Sequence, residues 1–470
     1  MPLQNNALAT GYAVQVIDSM HEVSGGETRR LDEALALEQR HAAREIFSQA
    51  LAECSIDRAF ERHVFYEHGV LRVVEDLYDF NLYGRVFAVA VGKAAHSMTE
   101  SLMSRVGPGA GISGIVCGPT APNSQVFGFR YYRGGHPTPN GDSVRAAEAI
   151  LRGLEYRNQG SLIIFLISGG GSSLVEKPIS SEISLEDLVA TYRALVHSGA
   201  TIAEVNAIRK HLSAVKGGRL ALAASPAHQV SILVSDVPEN ALDSLSSGPT
   251  MPDSSTIRQC HAIAKKHGLL PEFPDSVRGM FERGELQETP KANEAAFAHS
   301  RWWKVLSNAS VQKAAVERAA LTGYAVEVEN SCDDWDYAKA AEHLLKRLRA
   351  LREGVSRVCL ISGGEVTVKV KGTPGVGGRN QQFALECAKK IAGETITVLS
   401  VGTDGVDGNS TAAGAIVDGT TMARASAAGL DADAALKKFN TTPFFNALGD
   451  LVVTGPTGNN LRDLRILLAW

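Results

Sequence analysis

Five short runs in this chain are almost wholly apolar, rich in Val and Ile, and stop abruptly at small, polar or acidic residues. VFAVAV (86–91) meets Gly92-Lys93, LIIFLI (162–167) meets Ser168-Gly-Gly-Gly171, and VSILVS (230–235) meets Asp236. VCLI (358–361) meets Ser362-Gly-Gly364, and TITVLSV (395–401) meets Gly402-Thr-Asp-Gly405. A strand with one wet face alternates polar and apolar residues, whereas a strand covered on both faces does not. Runs of this kind predict the strands of a parallel sheet with helices on each side.

Helical patterns separate the runs. LDEALALEQRHAAREIFSQALAEC (31–54), GDSVRAAEAILRGLEY (141–156) and NQQFALECAKKIA (380–392) repeat apolar residues at helical spacing, with Asp142 and Ser143 as N-cap candidates for the second. NAIRKHLSAVKGGRLALAA (206–224) reads as one more helix, basic on one side. Strands alternating with helices predict a doubly wound α/β architecture. The segment 266–300 breaks the alternation: it is polar, carries Pro271, Pro274 and Pro290, and shows no strand. It divides the chain into a larger domain over 30–290 and a smaller α/β domain over 300–470.

The 470 residues suffice for two or three domains with a large core. The 47 Lys and Arg nearly balance the 51 Asp and Glu, so the net charge of −4 leaves no electrostatic footprint for nucleic acid or a membrane surface. An anionic ligand must therefore be held by a local arrangement. The six cysteines form no C-x-x-C pair and have no His at zinc spacing, so they read as reduced, buried thiols, which fits a cytoplasmic protein. No run approaches the ~20 apolar residues that span a bilayer, and residues 1–20 do not read as a signal peptide. Residues 21–30 read as a flexible lead-in.

The chemistry gathers where strands end. In Ser168-Gly169-Gly170-Gly171-Ser172-Ser173 the glycines let backbone N–H groups approach a ligand, and the serines add hydroxyl donors, a combination suited to phosphate. Alone, such a turn reads equally well as a tight turn with no ligand. Gly363-Gly364 repeats the pattern, and Gly377-Gly378 precedes Arg379 at a helix start, where a guanidinium suits bidentate phosphate or carboxylate contact. Lys93 leaves a strand at the edge where open α/β sheets bind ligands. Asp236, Asp404 and Asp407 also follow strands, where carboxylates hold Mg²⁺ or orient a nucleophile; for any one of them an Asx turn or helix cap is the plainer reading. Arg209 and Lys216 are candidates for an acidic substrate, against a solvated helix face as the alternative. His136 reads as structural. No P-loop, protein-kinase set, dinucleotide fingerprint or G-x-S-x-G elbow is present.

Taken together, VGKAAHSM, GGHPTPN, ISGGGSSL, NAIRKHLSAVKGGRLA, SDVPEN…SSGPT, ISGGEVTVKVKG…GGRNQQFALE, GTDGVDGNSTAAGAIVD and DLVVTGPTGNNLRDLRILL resemble the glycerate 2-kinase (class II glycerate kinase) family, with a C-terminal MOFRL domain, over roughly 30–470. The resemblance implies ATP-dependent phosphorylation of D-glycerate, generally at the 2-hydroxyl, with Mg²⁺. It also implies a Rossmann-like N-terminal domain, a second α/β domain and an active site in the cleft between them. Lys93 matches the lysine of its GKA motif, Arg379 the arginine of GGRNQ and Asp236 the aspartate of its strand-ending SD pair, which makes these three the expected catalytic residues. The stretch VPENALDSLSSGPT departs from the glycine-aspartate pair more usual before SGPT. Two rivals stand beside this reading, a hydroxypyruvate reductase and a non-catalytic sensor of nucleotides or sugar acids.

Overall fold

The computed structural model describes residues 25–370 and 372–470. Of the lead-in expected at 21–30, residues 21–24 lie outside the described residues, and 25–30 are not a flexible lead but the first turns of helix Gly25–Glu53. Six parallel strands form the first sheet in the spatial order Phe129–Arg133, Ser113–Gly118, Arg85–Val91, Ser161–Ser168, His228–Val234, Ser300–Leu306. Successive residues alternate between two cores. Ala88, Ala90, Ile164 and Leu166 enter one, and Val89, Val91, Phe165 and Ile167 the other. That double burial is why these strands carry no polar alternation. Strand order reverses between Arg85–Val91 and Ser161–Ser168, which opens a crevice at their C-terminal ends.

The second sheet is mixed. Its order is Ala325–Val328, Val358–Ser362, Asp463–Ala469, Ile396–Gly402, Gly414–Asp418, Leu451–Val452. Only the first pair is parallel; the closing strand Asp463–Ala469 runs antiparallel to both neighbours. Val358–Ser362 and Ile396–Gly402 nonetheless point the same way, so their glycine turns share one edge. Apolar runs report burial on both faces, not strand direction, and the parallel expectation fails here for that reason.

The chain crosses between its two halves more than once. Helix Gly25–Glu53 packs on strands of the second sheet, while Ser300–Leu306 closes the first. Residues from both sheets, including Ile232, Ile361 and Ile466, share one core cluster. The polar segment after 266 is packed as well. Helix Asp275–Glu282 buries Val277, Met280 and Phe281, one face at helical spacing, against helices Leu185–His197, Ile202–His211 and Ile257–Lys266.

Two local readings need correction. The N-cap of helix Gly141–Glu155 is Asn140, whose side chain accepts from Ser143 N at 2.9 Å; Ser143 returns the bond as the third helical residue of a capping box. The basic segment 206–224 is two helices, Ile202–His211 and Arg219–Ala224, parted by Gly217 and Gly218 at positive φ. All six cysteines are free and buried. Among the described residues, no helix is long and apolar enough to cross a membrane.

Candidate active site

Lys93 and the turn 168–173 meet at the crevice where the first sheet reverses. A side chain on Gly92, φ +129°, would put its Cβ 2.1 Å from Ser168 Oγ, so only glycine lets the two strand ends close. Ser168 Oγ then accepts from Ala94 N at 3.0 Å, and Lys93 N donates to Gly169 O at 2.9 Å. Ser246 Oγ donates to Ser168 O at 2.7 Å, and Ser172 and Ser247 share a hydrogen bond of 2.8 Å. Braced in this way, the turn leaves the N–H groups of Gly169, Gly170, Gly171 and Ser172 without protein acceptors among the described residues. Lys93 is exposed and carries no ion pair there.

Asp236 closes one side of this turn. A Cβ on Gly169 would fall 1.8 Å from Asp236 Oδ2, so carboxylate and glycine backbone are in contact. Burial raises the Asp236 carboxyl above its ordinary value, and the Lys93 charge opposes that rise. His136 sits beside both: a Cβ on Gly170 would lie 3.2 Å from His136 Cδ2 and from Lys93 Cγ. Burial and then the Lys93 charge lower the imidazole's affinity for a proton. His136, read from sequence as structural, thus lies within the same cluster as Lys93 and Gly170.

The opposite wall comes from the second sheet. Asn460 Nδ2 donates to Asp236 Oδ2 at 3.2 Å, which joins the two halves at this point. Arg379 Nε donates to Asp463 Oδ2 at 2.7 Å, and its Nη2 to Asp463 Oδ1 at 3.0 Å and Glu365 Oε1 at 2.8 Å. Burial opposes the Arg379 charge, but Asp463 and Glu365 outweigh it and hold the guanidinium firmly protonated. Glu365 is raised above its ordinary value by burial; Arg379 resists this, while Asp463 and Asp236 add to it. Arg462 pairs with Asp333 at 2.7 and 2.8 Å.

The turn at Gly363-Gly364 does not match its sequence likeness to 168–173. Gly363 N donates to Asn330 Oδ1, Gly364 N to Asn308 Oδ1 and Glu365 N to Asp333 Oδ1, each at 2.9 Å. Fully buried Arg465 takes the carbonyls of Gly363 and Gly364 from behind. With its amides already paired this turn cannot cradle phosphate, and it serves instead to aim Glu365. Gly377 N is likewise held, by Asn409 Oδ1 at 2.8 Å; Gly378 N, at the head of helix Arg379–Lys390, has no acceptor among the described residues.

Asp404 and Asp407 do not converge on a metal. Asp407, 1% exposed, accepts from Asn380 N at 3.0 Å and Gln381 N at 2.9 Å, capping that helix. Asp404 Oδ1 accepts from Val406 N at 3.0 Å, an Asx turn. Among the described residues, no group of three His, Cys, Asp or Glu side chains could hold an ion. The cap and the turn therefore win at both positions.

Arg209 and Lys216 also part company. Lys216, 1% exposed, is ion-paired with Glu176, which accepts from Tyr192 Oη and Ser213 Oγ at 2.6 Å each. That carboxylate consumes the lysine, so no substrate reaches it. Arg209 stacks its guanidinium 4.6 Å from the centroid of the same Tyr192 ring and has no carboxylate partner among the described residues.

His136, Glu365, Asp463 and Asn460 are the site residues the single-motif reading passes over. Each stands inside a quoted motif (GGHPTPN, ISGGEVT, NNLRDLRILL), but nothing local distinguishes them from turn or strand residues.

Amides without protein acceptors among the described residues and an exposed lysine lie at the strand-order reversal, the place where open α/β sheets bind ligands. A family model described as a domain of unknown function (DUF4147) matches residues 42–282, and the MOFRL family model matches 358–463. A D-glycerate 2-kinase from Thermotoga maritima is 37% identical over 402 residues, covering 84% of this chain and 93% of the relative. A protein from Agrobacterium vitis, whose name assigns it provisionally to hydroxypyruvate reduction, is 36% identical over 82% of this chain and 87% of its own length. The crystal structure of a Thermotoga maritima glycerate kinase superposes with a TM-score of 0.79 at 34% identity, over 92% of this chain and all (100%) of that one. The chain belongs to the glycerate kinase family, with a C-terminal MOFRL domain.

Proposed function

We propose that this protein is an ATP-dependent D-glycerate 2-kinase that passes the γ-phosphoryl group directly, in line, to the 2-hydroxyl of glycerate. The observation that carries the reading is the meeting of Lys93 with four amides, Gly169 to Ser172, that have no protein acceptor among the described residues, beside an Asp236 that touches Asn460 and whose charge reaches Glu365, the partner of Arg379. Phosphoryl transfer asks a protein mainly for positioning and for fixed positive charge around the moving group. Lys93 and the amides supply the charge from the first domain. Arg379 supplies it from the second, and its bonds to Asp463 and Glu365 hold the guanidinium in one orientation.

Asp236 lies against the amide turn and is positioned by Asn460. It orients the attacking hydroxyl and takes up its proton. Its raised affinity for a proton suits that role, because a poorly solvated carboxylate is a better base. Arg209, stacked on Tyr192 and uncompensated, receives the glycerate carboxylate; Lys216 anchors the Glu176 cluster behind it. Asp404 and Asp407 do not fit a resident Mg²⁺, so Mg²⁺ enters this reading only as part of the nucleotide substrate.

Supplying ATP and D-glycerate and coupling the product to enolase without a mutase tests the whole statement. Formation of ADP and phosphoenolpyruvate is expected. ADP with no phosphoenolpyruvate would move the phosphate to the 3-position. NADH consumption with hydroxypyruvate, and no ADP from glycerate, would replace the kinase with a reductase.

A further inference from the structure

A cavity of about 510 Å³ opens in the second domain with Arg379 in its wall, and the rest of its lining takes no part in the mechanism above. Val366, Val368, Val370 and Phe439 make it apolar, and the backbones of Gly377 and Gly378 leave one wall without side chains. Glycerate, small and polar, would satisfy nothing here. A flat ring would, because valine and phenylalanine walls pack against its faces. Thr367, Arg379, Asn409 and Gln382 are its polar side chains, and Gln382 alone among them carries a buried atom without a partner among the described residues. Gln382, 2% exposed, lines the cavity, and its Oε1 has no hydrogen-bond partner among the described residues. Its Nε2 donates to Leu436 O at 3.4 Å, and Oε1 is left as a buried acceptor with no partner of its own.

We propose that this cavity binds the adenine ring of the nucleotide, with Gln382 Oε1 accepting from the exocyclic amino group. A buried, unpaired carbonyl is costly, and a ligand N–H removes that cost. The last torsion of a glutamine is soft, so a small rotation brings the oxygen to the ring edge. Guanine presents a carbonyl at the equivalent position, and two acceptors would then face each other. Gln382 is thus a specificity-determining residue that favours adenine over guanine. Arg379, in the cavity wall, reaches Glu365 at 2.8 Å through Nη2, and Glu365 lies near enough to Asp236 to feel its charge, so the phosphates run from the cavity past Arg379 toward Asp236. The two domains divide the nucleotide, with the base on one and the transferring phosphate on the other. This inference rests on the phosphotransferase reading for the direction of the chain of phosphates, and on the cavity alone for the base.

Titration calorimetry with ADP, GDP and inorganic tripolyphosphate tests it. The unmodified protein is expected to bind ADP at least about tenfold more tightly than GDP. Gln382→Met should bring the two affinities together. Val370→Asp, at a half-exposed rim position, should weaken ADP about tenfold and leave tripolyphosphate binding unchanged. Equal affinities for ADP and GDP in the unmodified protein, or unchanged ADP affinity in Val370→Asp, would overturn the assignment; the second variant decides the matter if the buried Gln382→Met fails to fold. Loss of ADP binding in Val370→Asp from a protein that phosphorylates no glycerate would keep the cavity and discard the kinase. Glycerate phosphorylation with unchanged ADP affinity in that variant would do the reverse.

Discussion

Two turns in this molecule are near copies in sequence and opposites in use. LISGGGSS and LISGGEVT each follow a strand buried on both faces, and each turns on consecutive glycines. At 169–172 four amides have no protein acceptor among the described residues. At 363–365 three amides end on Asn330, Asn308 and Asp333. A glycine turn therefore sets where N–H groups can point, and residues far away in the chain decide whether they are left for a ligand. The open turn should be sensitive in turnover, the closed one in stability.

Lys93→Ala gives the largest expected effect. Removing the cation beside the open turn should lower kcat for glycerate phosphorylation about 10³-fold or more while the melting temperature moves little. A variant with near-normal turnover would mean the open turn is not where phosphate moves. Lys216→Met comes next and should act on stability. It leaves Glu176 buried and unpaired, so urea unfolding should show a loss of about 3–5 kcal/mol.

Asn308→Ala strips the acceptor from the Gly364 amide and should cost about 1–3 kcal/mol in the same assay. Its turnover per folded molecule should stay within a few-fold of normal, and a collapse in kcat without loss of stability would show that the closed turn acts directly. A smaller, substrate-specific effect is expected for Arg209→Ala. The KM for glycerate should rise about tenfold with kcat and the KM for ATP nearly constant, since one charge-assisted contact is lost.

The helix cap adds a pH signature. Burial lifts Asp407 to about 6 despite the two backbone N–H groups that favour its charged form. A carboxyl raised on folding binds more protons folded than unfolded, so its contribution is complete below the unfolded value and fades as pH rises through about 6. Asp407→Asn should flatten the fall in unfolding free energy between about pH 4 and 6, an effect of at most about 3 kcal/mol. An unchanged slope would show that another group sets it.

The strand ends and Lys93 are legible because each depends on residues adjacent in the chain, whereas the strand order that makes the reversal is not. Double burial leaves an unbroken apolar run, and close approach of two strand ends leaves Gly92. The helical packing of 257–282 was less visible, since Pro271 and Pro274 mask a short face made by Val277, Met280 and Phe281. The metal expectation at Asp404 and Asp407 arose from their spacing in GTDGVDG, which suits an Asx turn and a cap equally well.

What the sequence determined by itself is the α/β class, the glycine turns at strand ends and, through its ordered motifs, the family. Which turn is open, which lysine is free and which carboxylates face the cleft were decided by tertiary structure. The physical reason is that a hydrogen-bond donor or a charge is available only if nothing else satisfies it. The groups that satisfy Gly364, Lys216 and Arg379 come from Asn308, Glu176 and Asp463, each 40 or more positions away in the chain.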